Sequence, residues 1–268
     1  MRIAVVALLL AGCGERDNAH AGQTETGRSR SPELVRSSAT PTSRAHIVGK
    51  LPHDTAAFTQ GLALHDGKLY ESTGLYGSSS LRRIDPATGE IDTLIRLPRA
   101  LFGEGIAILG GRLYQLTWKT GIALVYDVAT LAPRDTFRYA GEGWGLTTYG
   151  DSLLMSDGTS RLRVIDPATF RVTRTIDVTD AGAPVKLLNE LELIDGEIWA
   201  NVWRAGWVAR IEPASGRVRE WIDLRDVWRG DPRGREQNVP NGIAYDSGAR
   251  RVLVTGKRWA GVYVVELR

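Results

Sequence analysis

One cysteine, Cys13, occurs in a chain of 268 residues, so no disulfide can form within it and no cysteine-built zinc site is available. Histidine is nearly as scarce: His20, His46, His53 and His65 show no metal-ligand spacing. Neither a serine–histidine–aspartate arrangement nor a phosphate loop nor a nucleotide fingerprint is present. A large excess of one charge is also missing, with 34 basic residues against 31 acidic ones, interspersed rather than in runs. Such a balance points to an ordinary soluble surface and not to a nucleic-acid partner. The apolar run at residues 3–10 is too short to span a bilayer. These absences leave general acid–base work and hydrogen bonding as the chemistry. With 43% hydrophobic and 24% charged residues, the chain has the material for a sizeable core.

Residues 1–13 join Arg2, the apolar run and Ala11-Gly12-Cys13. A basic start, a short apolar segment and small residues before a cut make a secretory signal. Leu10-Ala11-Gly12-Cys13 resembles the bacterial lipobox, in which the cysteine becomes the lipidated first residue of the mature chain. A plain signal with an incidental cysteine is the other reading. Lipidation at Cys13 implies a lipoprotein exported to the bacterial cell envelope, facing the periplasm and touching membrane only through its anchor. Residues 14–45 are rich in Ser, Thr, Gly, Arg and Glu and hold almost no large apolar side chain before Leu34. They read as a disordered linker.

From Ile47 onward, short alternating apolar runs are punctuated by Asp-Gly, Gly-Gly and Asp-Pro steps, and no stretch keeps a helical period. Gln60-Gly61-Leu62, Glu104-Gly105-Ile106, Trp144-Gly145-Leu146, Asn189-Glu190-Leu191 and Asn241-Gly242-Ile243 each open a similar unit. Their starts lie 44, 40, 45 and 52 residues apart. That period matches a four-stranded propeller blade. Residues 46–268 are therefore expected to form an all-β, five-bladed β-propeller. The last unit ends after three strands, and residues 45–51 are expected to supply its outer strand and close the ring. A β-sandwich is the competing architecture, but sandwiches do not repeat at this period.

In a propeller the first strand of each blade lines the channel, so Gln60, Glu104, Trp144, Asn189 and Asn241 should meet around the axis. One carboxylate, three amides and an indole suit a small-molecule or chain-end site; a polar, water-filled channel is the plainer reading. Glycines on both sides of Glu104 would let backbone and ligand approach closely. Trp118, Trp144 and Trp203 fall near inner-strand positions, where tryptophans are more often core than pocket, yet Lys119, Gly143 and Arg204 beside them argue against complete burial. Lys257 follows the second strand of the last unit and could reach the same mouth, or be a surface lysine.

Several segments carry a resemblance: Phe58-Thr59-Gln60-Gly61-Leu62, Phe102-Gly103-Glu104-Gly105-Ile106, Leu116-Thr117-Trp118-Lys119, Gly141-Glu142-Gly143-Trp144-Gly145-Leu146, Leu188-Asn189-Glu190, Ala200-Asn201-Val202-Trp203 and Val254-Thr255-Gly256-Lys257. In this order, over essentially all of residues 46–268, they resemble the plant and bacterial glutaminyl-peptide cyclotransferases. The resemblance implies an enzyme that converts the N-terminal glutamine of peptides or proteins to pyroglutamate and releases ammonia. It implies Glu104 as the catalytic carboxylate, with Lys257 and Asn189 beside it. Phe58, Gln60, Phe102, Trp118, Trp144 and Trp203 follow as substrate-binding residues. No cofactor is implied for the chemistry, although family members can hold a structural calcium in the channel through backbone oxygens. A monomer is expected. Two rivals remain: a non-catalytic periplasmic ligand-binding propeller, and a metal-dependent lactonase-type hydrolase, which would need several inward carboxylates where only one ring position is acidic.

Overall fold

Two-residue turns set the local geometry. His65 pairs with Lys68 across Asp66-Gly67, both left-handed at φ +48° and +72°. Gly110-Gly111 and Asp195-Gly196 repeat that conformation, which matches the twist of the strands it joins. The computed structural model describes Leu34, residues 36–235 and residues 237–268. Over these residues the protein is all-β, and its one helix among them is Arg225–Gly230.

Three four-stranded antiparallel sheets follow one another along the chain. The first holds Thr59–His65, Lys68–Thr73, Ser80–Ile84 and Ile91–Arg96; the second, Gly103–Leu109, Arg112–Thr117, Ile122–Asp127 and Pro133–Arg138; the third, Leu146–Tyr149, Ser152–Met155, Arg161–Ile165 and Val172–Asp177. An eight-stranded sheet contains the other two strand sets. One is Leu188–Ile194, Glu197–Val202, Trp207–Ile211 and Val218–Asp223. The other is Pro240–Asp246, Arg251–Gly256 and Val262–Leu267, completed by Thr42–Leu51, which runs antiparallel to Val262–Leu267. Thr42 to Arg44 also pair in parallel with Trp221 to Asp223, and this short contact fuses the two sets.

The innermost strands lie against one another in sequence, from Thr59–His65 round to Pro240–Asp246 and back to Thr59–His65. Apolar clusters sit in the five gaps between neighbouring sets. Leu113 joins the first and second sets, Leu153 the second and third, and Leu191 the third and fourth, all fully buried. Each such side chain contributes roughly 1.5–3 kcal/mol when removed from water. Closure has a steric requirement. A Cβ on Gly105 would come within 2.5 Å of the Leu146 backbone nitrogen, and Gly105 N–H instead donates to the Trp144 carbonyl at 2.7 Å. Gly103 likewise has the Thr73 carbonyl where a Cβ would go. The glycines flanking Glu104 thus serve strand-to-strand approach; the expectation that they admit ligand is corrected.

The expected boundary at residue 46 also shifts. The strand begins at Thr42, and the chain before it is docked: Leu34 packs on the gap between the third and fourth sets, and the Arg36 guanidinium lies 3.4 Å above the Trp207 ring. Asp180, 3% exposed, accepts from the Ser37 N–H at 2.6 Å, the Trp221 indole N–H at 2.9 Å and the Thr40 hydroxyl. An acceptor 143 residues away in the chain leaves no mark in the local composition of residues 14–45. Asp180→Ala strands these donors and should destabilise the protein by about 3 kcal/mol, seen as a lower denaturation midpoint. An unchanged midpoint would mean that the segment is undocked in solution. The signal expected over residues 1–13, with Cys13, lies outside the described residues, as does the linker up to residue 33.

Candidate active site

At the inner strands the ladder slips where the unit-opening residues fall. Register shifts lie between Thr59 and Gly61, Gly103 and Ile106, Leu188 and Leu191, and Pro240 and Ile243. A bulge re-aims the side chain it releases. Gln60, Glu104 and Asn189 thereby reach one cavity of about 230 Å³, which Phe58, Phe102, Trp118, Trp144, Trp203 and Lys257 complete. Every substrate-site residue expected from the sequence lines it. Asn241 stands one layer behind: its amide donates to Gln60 Oε1 at 3.0 Å and to the Thr59 carbonyl at 3.1 Å.

Hydrogen bonds run in one direction through this layer. Asn241 orients the Gln60 carboxamide, and Gln60 Nε2 donates to Glu104 Oε1 at 2.7 Å. Glu104 is 4% exposed, and burial holds its carboxyl well above the usual carboxylate range, against the opposing pull of Lys257 and the Gln60 hydrogen bond. Lys257, 6% exposed, is pushed down to about 8 by burial and by Arg204, while Glu104 acts the other way. The carboxyl and the ammonium feel each other through charge rather than a shared hydrogen bond. Asn189 Oδ1 is buried with no hydrogen-bond partner among the described residues. A buried amide left unpaired in this way is available to a ligand.

Aromatic rings make the wall. Trp144 and Trp203 meet edge to face at 5.7 Å, Phe58 and Phe102 likewise at 6.3 Å, and Trp118 lies 5.5 Å from Phe102. Trp118, Trp144 and Trp203 are half-buried, whereas Trp221 and Trp259 are fully buried core. Gly158, at φ +79°, lets the Trp144 indole lie flat on the backbone; a Cβ there would stand 2.6 Å from the ring.

Two groups were not singled out from the sequence. Glu142 Oε2 accepts both indole N–H groups, from Trp118 at 2.7 Å and Trp144 at 2.9 Å, and so spaces the two rings. Its place in the Gly141-Glu142-Gly143 turn has no counterpart among the unit starts, so only proximity to two tryptophans could have marked it. The second is His53, which bridges Glu71 Oε1 at 2.9 Å and the Trp259 carbonyl at 2.8 Å. Burial opposes the charged ring, but Glu71, the Trp259 carbonyl and Asp54 together prevail, and His53 titrates above its ordinary value. Glu142→Ala should raise KM more than it lowers kcat, because two indole donors lose their acceptor at about 1–3 kcal/mol. A steady-state comparison on one peptide reads the split; a fall in kcat alone would count against the spacing role.

The calcium implied by the resemblance would be held by backbone oxygens, so side-chain carboxylates bear only on additional ligands. Calcium takes six to eight oxygen ligands, and no group of three His, Cys, Asp or Glu residues clusters among the described residues. Glu190 and Glu192, the other carboxylates buried near the inner strands, face N–H donors: Leu62 and Ile243 for the first, Tyr245 for the second. No step below depends on a metal.

An all-β fold that brings one buried carboxyl, one ammonium, two amides and five aromatic side chains into one cavity defines a small-ligand acid–base site. The chain belongs to the glutamine cyclotransferase family, whose family model matches residues 18–267. It is 44% identical over 227 residues to a glutaminyl-peptide cyclotransferase of Arabidopsis thaliana, covering 83% of this chain and 71% of that protein. The crystal structure of the Myxococcus xanthus glutaminyl cyclase superposes with a TM-score of 0.80 at 38% identity, over 85% of this chain and 98% of that one.

Proposed function

We infer that this chain is a glutaminyl-peptide cyclotransferase, closing the N-terminal glutamine of a peptide to pyroglutamate with release of ammonia. The observation that carries the reading is the buried Glu104 carboxyl, aligned by Gln60 inside an aromatic cavity that Lys257 shares.

The α-amine of the substrate must attack its own γ-carboxamide carbon. An α-amino group titrates near 7.7–8, so much of it is protonated at neutral pH and not nucleophilic. The neutral form of the amine attacks, and Glu104 as carboxylate takes the one proton that this nitrogen loses as the ring N–C bond forms. It returns the proton to the carboxamide nitrogen, which leaves as ammonia when its C–N bond breaks. A base with a raised pKa is matched to that double duty. One of the two Gln60 N–H groups goes to Glu104, so the Lys257 ammonium, the Asn189 Nδ2 amide and the second Gln60 N–H are the donors in the cavity for the oxyanion on the former amide carbonyl. The indoles and phenyl rings hold the side chain folded back on the amine, which removes rotational freedom before the chemical step.

The five strand sets are read as four-stranded blades of a propeller, with Thr42–Leu51 as the outer strand of the last; the apolar cluster in each gap supports this. The site is complete within one chain, which supports a monomer. Arg2, the run at residues 3–10 and Ala11-Gly12-Cys13 support export and lipid attachment at Cys13 in the envelope. A mature chain that begins elsewhere than at Cys13 would remove the anchor.

The activity is tested by ammonia release from a panel of Gln-X peptides against Asn- and Glu-initiated controls. Turnover confined to the glutamine series is expected, and it should survive chelators. No release from any glutamine peptide would overturn the reading, and loss on chelation restored only by zinc would overturn the mechanism.

A further inference from the structure

Around the cavity mouth, cations stand at the same place in three of the strand sets. Each follows the second strand of its set, in Trp118-Lys119, Trp203-Arg204 and Lys257-Arg258. All three lie on rings that wall the cavity. Lys119 Nζ is 4.1 Å above Trp118, the Arg204 guanidinium 4.4 Å above Trp203, and the Arg258 guanidinium 5.5 Å from the Phe58 centroid. Lys119 and Arg204 are exposed and Arg258 is half-buried.

The acids nearby are already engaged. Glu142 takes two indole N–H groups and has Lys119 at 3.9 Å, Asp157 pairs with Arg163 at 2.8 Å, and Asp54 pairs with Arg82 at 2.8 Å. No carboxylate among the described residues forms an ion pair with Arg204 or Arg258. Both arginines also occupy left-handed backbone, at φ +64° and +60°. Glycine or asparagine costs least in that conformation, yet each position presents a guanidinium to the mouth.

Resting on the cyclotransferase reading, we propose that Lys119, Arg204 and Arg258 form a subsite for acidic side chains directly following the cyclising glutamine. With the glutamine side chain in the cavity, the next residues of the peptide must leave across this rim. A carboxylate there meets guanidinium groups that have aromatic faces behind them and no competing acid. A lysine or arginine at the same place meets like charge. The rim also adds to the field of Lys257, so an acidic peptide end is drawn toward the mouth before it binds.

The test compares kcat/KM for peptides beginning Gln-Glu-Glu, Gln-Ala-Ala and Gln-Lys-Lys, at low and high salt, in the parent and in the double variant Arg204→Ala, Arg258→Ala. Two partly exposed ion pairs should favour the acidic over the neutral peptide by about tenfold at low salt, with the basic peptide poorest. The preference should shrink at high salt, where the screening length falls from about 10 Å at 0.1 M to about 3 Å at 1 M. In the double variant the acidic-to-neutral ratio should fall to near one, and in Arg204→Glu, Arg258→Glu the order should invert. A ratio cancels any general loss of activity, so a poorly folded variant cannot imitate the result. Equal turnover of the three peptides at low salt, or a preference that survives in the double variant, overturns the subsite and leaves the activity standing. Failure of all three peptides to cyclise overturns the activity, and the subsite with it.

Discussion

Glu104→Gln should lower kcat/KM for a glutamine-initiated peptide by about 10² to 10⁴ while leaving the fold intact. The replacement keeps the shape of the side chain and an oxygen to accept from Gln60, but its amide cannot take a proton from the amine or give one to ammonia. Stability should respond in the opposite sense to activity. The folded protein holds the Glu104 proton more tightly than the unfolded chain does, because burial raises its titration well above the ordinary carboxylate range. Over the pH interval between the unfolded and folded titrations the folded state binds more protons, so the contribution of Glu104 to stability falls as pH rises through it. The glutamine variant lacks this loss and should melt at the same temperature as the parent in acid and at a higher one at alkaline pH. Thermal denaturation beside an ammonia-release assay reads both quantities. Parent-like turnover in a folded variant would remove Glu104 from the proton transfers.

Lys257→Met should act through charge and through a lost donor. Removing one oxyanion donor typically costs about 10² to 10³ in kcat. The ammonium also pulls Glu104 down, so its removal should push that carboxyl still higher and move the acid limb of the pH–rate profile to higher pH. On the alkaline side, the parent should lose activity as Lys257 deprotonates at about 8, and the methionine variant should lack that limb. Methionine keeps an apolar stem of similar length and removes only the ammonium, whose nitrogen lies 4.7 Å over the Phe58 ring. A profile with unshifted limbs would place Lys257 outside the proton and oxyanion chemistry.

How much of this was legible in the sequence varies with how local the signal is. Hairpin turns such as Asp66-Gly67 and Gly110-Gly111 are written in two adjacent residues, and they form as read. The gathering of Gln60, Glu104 and Asn189 was legible too, since equivalent positions of a closed repeat must come together. The boundary at residue 46 failed because the docking of residues 36–41 rests on Asp180 and Trp221, distant in the chain. The glycines beside Glu104 were assigned to ligand approach because the neighbouring strand that occupies their Cβ space lies in another unit. Glu142 was missed for a related reason, as two indoles from different loops converge on it.

Residue types and their period were enough to gather Gln60, Glu104 and Asn189 for acid–base work, and the family resemblance added Phe58, Phe102 and the cyclisation reaction. They could not say whether burial or Lys257 prevails over the proton on Glu104, which amide is spent on the carboxylate, or which cations are left without a partner at the rim. Those outcomes depend on desolvation and on distances of a few ångströms between side chains drawn from all five strand sets. Both arise only when the ring closes, because no single unit encloses enough protein to exclude water from a carboxyl.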